Sequence, residues 1–314
     1  MVPLLSRKAC FHLANILGAL VARFDSHGRR VALSNLESAF GNEFSDTRRA
    51  EIVRESYQHF ARTMLDLFWS PRLTLKNIRN FVEFENLEAA REIISNGCIV
   101  GSYHYSNFEW LSLACGFLGY PAAITAQRFK NPLLDSIFQQ LRQQSGHQIV
   151  SRKGATIRLY KTLRRKGFVA LLVDTTLPPE LPTVAVNCFG LQTIMTVAHA
   201  WLQERTGVPL IPAHCEPLSN GRYRIVFHPK IEIPENATHQ EIAQACWDSF
   251  EPVVRRNPAP WLWTYKHWRY KPSGTTKRYP FYANESEEFD QIASRKNYEK
   301  LEKTAVTEAP GEAG

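Results

Sequence analysis

The chain reads as a single α/β domain: a central, mostly parallel or mixed β-sheet flanked by helices and preceded by N-terminal helices. Three observations predict this. Between residues 80 and 270, short β-type runs alternate with helix-compatible segments, the pattern of a sheet covered by helices. No linker, composition shift or internal repeat interrupts that stretch. The 314 residues are 44% hydrophobic, ordinary for a globular chain and enough to bury a large core.

The elements follow in order. Residues 9–22 are apolar for fourteen positions and bracketed by Arg7, Lys8 and Arg23. That falls short of the ~20 residues needed to span a bilayer. The segment is read as a helix lying at a membrane interface, its basic flanks reaching anionic head groups. Packing on the protein's own core is the alternative. Residues 30–40 form a second helix, ended by Gly41 and Asn42, and Ser45 begins a third that runs to about Trp69 ahead of Pro71. Residues 81–85 alternate as a strand, 87–94 are helical, and 98–101 form a buried strand. Then come a helix at 108–118, a strand at 122–125, a helix at 132–144, a strand at 147–150, a helix at 154–165 and a strand at 168–174. After the prolines of 177–182 the expected order is a helix over 193–207 and strands at 210–214 and 223–228. From Lys271 the hydrophobic pattern fades: residues 285–303 are a charged helix candidate, and 304–314 are expected to be disordered.

Charge and cysteine usage narrow the function. The net charge of +8 suits an anionic membrane, a phosphorylated substrate or an acidic carrier. Eight basic residues and no acidic one lie between Arg142 and Lys166, and further positives cluster near both ends of the proposed domain. Nucleic acid would explain the charge but not the apolar N-terminus, so no nucleic-acid partner is expected. The six cysteines are scattered, without Cys-x-x-Cys or zinc spacing. A reducing compartment and no metal are expected.

The candidate chemistry centres on His104 and Glu109, directly after the strand at 98–101. A histidine beside a carboxylate can take a proton from an alcohol near neutral pH. Five residues along one helix rotate by about 140°, so the pair converges only if His104 sits on the strand-leaving turn and Glu109 in the first helical turn. A loop histidine and a helix-start glutamate favoured by the dipole would give the same spacing. In open α/β sheets functional groups gather at the carboxyl ends of strands. Arg152, Lys153 and Asp174 also fall at such ends, and Arg142 lies on a helix face that can turn toward them.

Taken together, the blocks Arg30-Val-Ala-Leu-Ser-Asn-Leu-Glu-Ser-Ala-Phe40, His104-Tyr-Ser-Asn-Phe-Glu109, Lys130-Asn-Pro-Leu-Leu-Asp135 with Arg142 and Gly146, Arg152-Lys-Gly154, Asp174, and the aromatic and basic run 260–272 resemble, in order, the bacterial lipid A biosynthesis acyltransferases (lauroyl and myristoyl transferases) of the wider lysophospholipid acyltransferase superfamily. Coverage runs from about residue 28 to 274. The resemblance implies a glycerolipid-acyltransferase-like fold. It implies an O-acyltransferase that moves a fatty acyl chain from an acyl carrier protein or coenzyme A thioester, a co-substrate rather than a bound cofactor, to a hydroxyl of an anionic lipid or glycolipid such as a lipid A precursor. In that reading His104 is the general base and Glu109 orients and charges its imidazole. Arg142 stabilises the oxyanion or donor phosphate, and Asp174 shapes the acceptor site. Asn107, Arg152 and Lys153 bind substrate, and the basic run 152–166 faces an acidic acyl carrier protein or lipid phosphates. The family usually carries a second acidic residue two positions after Asp174, where this chain has Thr176. The implied location is the cytoplasmic face of a bacterial inner membrane. The implied organisation is an interface helix over 1–27, a catalytic domain over 28–274 whose part 28–79 is helical, and a charged tail over 275–314. Two other readings use the same residues: a thioesterase or lipid hydrolase in which the base activates water, and a non-catalytic lipid-binding or carrier-docking protein.

Overall fold

The computed structural model describes residues 2–126, 129–151 and 154–295. Three helices come first: α1 (Arg7–Phe24), α2 (Ser26–Phe40) and α3 (Asp46–Trp69). Ser6, Asp25 and Ser45 cap them, each side-chain oxygen accepting a backbone N–H of the first turn. Then follow β1 (Val82–Glu85), α4 (Leu87–Ser95), β2 (Cys98–Ser102), α5 (Phe108–Phe117), β3 (Ala122–Thr125), α6 (Pro132–Gln143), β4 (Gln148–Val150), α7 (Ala155–Arg164) and β5 (Phe168–Leu172). The second half holds β6 (Thr183–Cys188), β7 (Leu191–Thr196), α8 (Ala198–Thr206), β8 (Leu210–Pro217), β9 (Tyr223–Phe227), α9 (His239–Asp248) and α10 (Glu251–Arg256), then β10 (Tyr270–Lys271), β11 (Asn284–Glu285) and α11 (Glu287–Ser294).

Seven strands form one mixed sheet in the order β1-β9-β8-β2-β5-β3-β4. Its pairings are parallel except β8 with β9. The expected α/β class and central mixed sheet are what the chain adopts. β2 lies near the middle, and all five of its residues are buried, as a strand covered on both faces requires. Its odd and even positions feed two cores. Ile99 belongs to the core shared with residues of α2, α3, α8 and α9, and Cys98 and Val100 to the core shared with residues of α4, α5 and α6.

The structure corrects the reading in the second half. Residues 193–196 belong to a strand, not a helix: β6 and β7 form an antiparallel ribbon in which Cys188 pairs with Leu191. Phe189 and Gly190 make the two-residue turn, both at positive φ, the geometry that matches strand twist in a tight hairpin. The helix begins only at Ala198. Helices α9 and α10 were not anticipated, although Thr238 and Glu241 form a reciprocal capping box at the start of α9. Of the expected C-terminal helix, 287–294 is helical; residues 296–314, including the stretch expected to be disordered, lie outside the described residues.

Helix α1 is buried through its small residues. Cys10, Ala14, Gly18 and Ala22 face inward, while Leu13, Ile16, Leu17, Leu20, Val21 and Phe24 are exposed. Close packing explains the small side: a Cβ at Gly18 would stand 2.5 Å from the Gln58 Cα on α3. Among the described residues no helix is long and apolar enough to cross a membrane. All six cysteines are buried and free.

Candidate active site

Strand register builds the centre. β2 and β5 run parallel with Ser102 opposite Leu172, so the residues two beyond each end, His104 and Asp174, emerge side by side. The Asp174 carboxylate is fully buried, and one oxygen lies 2.8 Å from His104 Nδ1. The other oxygen accepts the His104 backbone N–H at 2.9 Å and the Trp261 Nε1–H at 3.1 Å. These donors favour an ionised Asp174, which in turn favours the tautomer with hydrogen on Nδ1 and a free lone pair on Nε2. Burial opposes the ionised carboxylate, but the His104 charge and hydrogen bond, helped by His267 and Trp261, hold its pKa below the usual value. Burial also lowers the pKa of His104. Asp174, through charge and hydrogen bond, and Glu109, through charge, outweigh it, leaving the imidazole more basic than an ordinary histidine.

The loop carrying His104 is clamped on two sides. The segment after α10 holds it from above: Ser106 N–H donates to the Pro260 carbonyl at 2.9 Å, and Leu262 N–H to the His104 carbonyl at 3.1 Å. From below, Asn107 caps α5 by accepting Trp110 N–H, and its amide donates to Asp66 Oδ2 at 2.9 Å. Asp66, buried on α3, also accepts the Tyr223 hydroxyl at 2.7 Å and both terminal nitrogens of Arg7. Arg7 in turn lies over the rings of Trp69 and Trp110. The N-terminal helix is thus tied, by an ion pair to the buried Asp66, to the cap that sets the His104 loop.

Glu109 stands in the first turn of α5, as the spacing required, but its partner is Arg142. Arg142 Nε reaches the two carboxylate oxygens at 3.2 and 3.1 Å, and Nη2 reaches Oε1 at 2.6 Å. The carboxylate hydrogen-bonded to the imidazole is Asp174 rather than the expected Glu109, whose influence on His104 is through charge. Both face a cavity of about 640 Å3 lined by His104, Glu109 and Arg142 and, mostly, by apolar side chains that include Phe60, Met64, Phe108, Leu111, Ile124, Phe129, Phe138, Ala170 and Leu172. Among the described residues His104 Nε2 has no hydrogen-bond partner. Thr176 donates its hydroxyl to the His267 carbonyl at 2.8 Å, so that position braces the closing segment.

The structure therefore brings His104, Glu109, Arg142 and Asp174 together, whereas Asn107, expected to bind substrate, is buried outside the cavity lining with its side chain on the α5 cap and Asp66. Arg152 and Lys153 lie outside the described residues. Sequence reading did not assign Arg7, Asp66 or Tyr223 to the site. An aspartate among the inward residues of α3, between Thr63 and Leu67, was the available signal, because a carboxylate is buried only with partners. Among the described residues no group of three or more side chains could hold a metal ion.

A family model described as bacterial lipid A biosynthesis acyltransferase matches residues 1–270, a span that takes in α1 as well as the sheet and the closing aromatic segment. No curated protein matches the chain.

Proposed function

The chain belongs to the bacterial lipid A biosynthesis acyltransferase family and is an acyltransferase for lipid A-like substrates; from that premise we propose that it carries a fatty acyl group from an acyl carrier protein or coenzyme A thioester to a lipid hydroxyl, with His104 as general base. The carrying observation is the His104 and Asp174 pair, whose free Nε2 belongs to a residue lining a mostly apolar cavity. An acceptor hydroxyl bound at Nε2 gives up its proton as its oxygen attacks the thioester carbonyl carbon. The tetrahedral intermediate then expels the thiolate, and the imidazolium returns the proton to sulfur. The product is an ester and a free thiol. Asp174 stabilises the imidazolium in between, as the buried aspartate of a hydrolase triad does. No enzyme nucleophile is required. The cavity suits the acyl chain in volume and lining, and Arg142, clamped by Glu109, fixes its polar wall.

Two surfaces support the proposed partners. On α7, Leu159 and Leu163 face inward while Arg158, Lys161 and Arg164 are exposed, with Arg165 and Lys166 just beyond. This basic face suits an acidic carrier protein. The exposed apolar side chains of α1, with Phe60 and Phe129 of the cavity lining and Leu133 and Leu134 of α6, suit the interface of an anionic inner membrane, in which the enzyme would sit on the cytoplasmic face. The test supplies purified protein with acyl carrier thioester and a lipid A precursor. Acyl-lipid should form with wild type and be lost in His104→Ala. Transfer that survives His104→Ala removes the base assignment, and thiol release without acyl-lipid makes the protein a thioesterase.

A further inference from the structure

Ser102 ends β2 and precedes by two residues His104, which sits in the tight turn closed by Tyr105 N–H on the Tyr103 carbonyl at 2.7 Å. Both line the 640 Å3 cavity. The Ser102 backbone is fixed, its carbonyl accepting Val173 N–H at 2.8 Å. Its side chain is not: the residue is 6% exposed, and the buried Oγ has no hydrogen-bond partner. A buried hydroxyl left unpaired costs about 1–3 kcal/mol. The other orphaned hydroxyls among the described residues, on Ser106, Ser145 and Thr183, do not line this cavity. An unpaired hydroxyl on a residue that lines the cavity calls for a partner, and a bound substrate can supply the acceptor.

Transfer from a thioester creates such an acceptor. When the alcohol oxygen bonds to the carbonyl carbon, the carbonyl π electrons move to oxygen, and that oxygen stays anionic until the carbon–sulfur bond breaks. Arg142 is poorly free to meet it, because Nε and Nη2 are engaged by Glu109. We propose that the Ser102 hydroxyl donates a hydrogen bond to the thioester carbonyl oxygen and holds it through the tetrahedral intermediate. Ser102 is then a catalytic residue for the donor half of the reaction, beside the base that serves the acceptor half. The inference rests on the acyl-transfer reading with His104 as base.

The experiment compares Ser102→Ala, Ser102→Thr and His104→Ala with wild type for kcat, KM for the acyl thioester, the pH dependence of kcat/KM, and Tm. Removing one oxyanion donor lowers kcat by about 10²–10³-fold. Ser102→Ala should show a loss approaching that, with KM changed less than about threefold, the pH midpoint in place, and Tm equal or higher because an unpaired buried hydroxyl has gone. Ser102→Thr keeps a hydroxyl and should recover most of the loss. Wild-type kcat in Ser102→Ala overturns the inference. A loss accompanied by a shifted pH midpoint overturns it too, since Ser102 would then act through His104. If the alanine variant does not fold, Ser102→Cys preserves volume with a weaker donor, and wild-type kcat in that variant overturns the inference equally. Turnover that persists in His104→Ala removes the base assignment on which the inference rests, and thiol release without acyl-lipid removes the acyl-transfer reading, so these failures are distinct from that of Ser102.

Discussion

Replacing Asp174 by asparagine changes one atom and tests the arrangement of the base. Asp174 faces three donors: the His104 Nδ1–H at 2.8 Å, the His104 backbone N–H and the Trp261 indole N–H. An amide has one acceptor oxygen. With that oxygen toward the backbone and indole, its NH2 meets Nδ1 and forces the tautomer whose Nε2 carries hydrogen, so the base is lost. With the oxygen toward Nδ1, the NH2 faces two N–H groups and the loop is pushed away. At 2.8 Å and an effective dielectric constant near 20, the attraction between imidazolium and carboxylate is about 6 kcal/mol. The lost desolvation of the charge offsets part of it, leaving about 3–5 kcal/mol, or roughly 10²–10⁴ in kcat/KM. The pH dependence gives a second readout. A neutral imidazole is the active form, so kcat/KM rises with pH through the His104 pKa. In wild type that limb lies above the ordinary histidine value; without Asp174, burial dominates and the limb moves to lower pH. Steady-state acyl transfer from about pH 5 to 9 measures both effects across the histidine range. Glu109→Gln is the comparison. A limb unmoved by Asp174→Asn but strongly moved by Glu109→Gln would refute the reasoning and return the imidazole to Glu109.

Further outcomes follow from the surrounding contacts. Arg7→Met strands Asp66 in the core and should cost about 3–5 kcal/mol of stability, visible as a fall in Tm by circular dichroism and as faster amide exchange over residues 103–111. Gly18→Val places a side chain against the Gln58 backbone and should lower Tm by separating α1 from α3, with no effect expected if the helix were loosely docked. The pair Leu17→Glu and Leu20→Glu should reduce co-sedimentation with anionic vesicles by at least about tenfold, and unchanged binding would remove α1 from the membrane surface. Ala170→Leu adds bulk to the cavity wall and should shift donor preference toward shorter chains, at about 0.8 kcal/mol per methylene excluded, as read by competition between thioesters of different length.

The alternation of strands and helices was legible because buried strands are short apolar runs and covering helices repeat every 3.6 residues. The ribbon β6 and β7 was not, since the apolar pattern after 193 admits a helix until Phe189 and Gly190 are recognised as a two-residue turn between β-branched segments. His104 and Glu109 could be read as neighbours in sequence, with the turn and helix start that each needs. The partner of His104 could not, because the contact with Asp174 depends on the parallel register of two strands seventy residues apart. Arg142 pointed the right way from its helix face, and only the tertiary contact between α5 and α6 showed that its carboxylate was Glu109. Ser102 left the mildest trace, a hydroxyl two positions before the base whose isolation is visible only once its surroundings are packed.

The most direct measurement is the ratio of free thiol to acyl-lipid formed from one acyl carrier thioester and a lipid A precursor, in wild type and in His104→Ala. One thiol per acyl-lipid in wild type, with both lost together in His104→Ala, is the result expected for direct transfer by this base. Thiol in large excess over acyl-lipid, or an unchanged yield without His104, would contradict it.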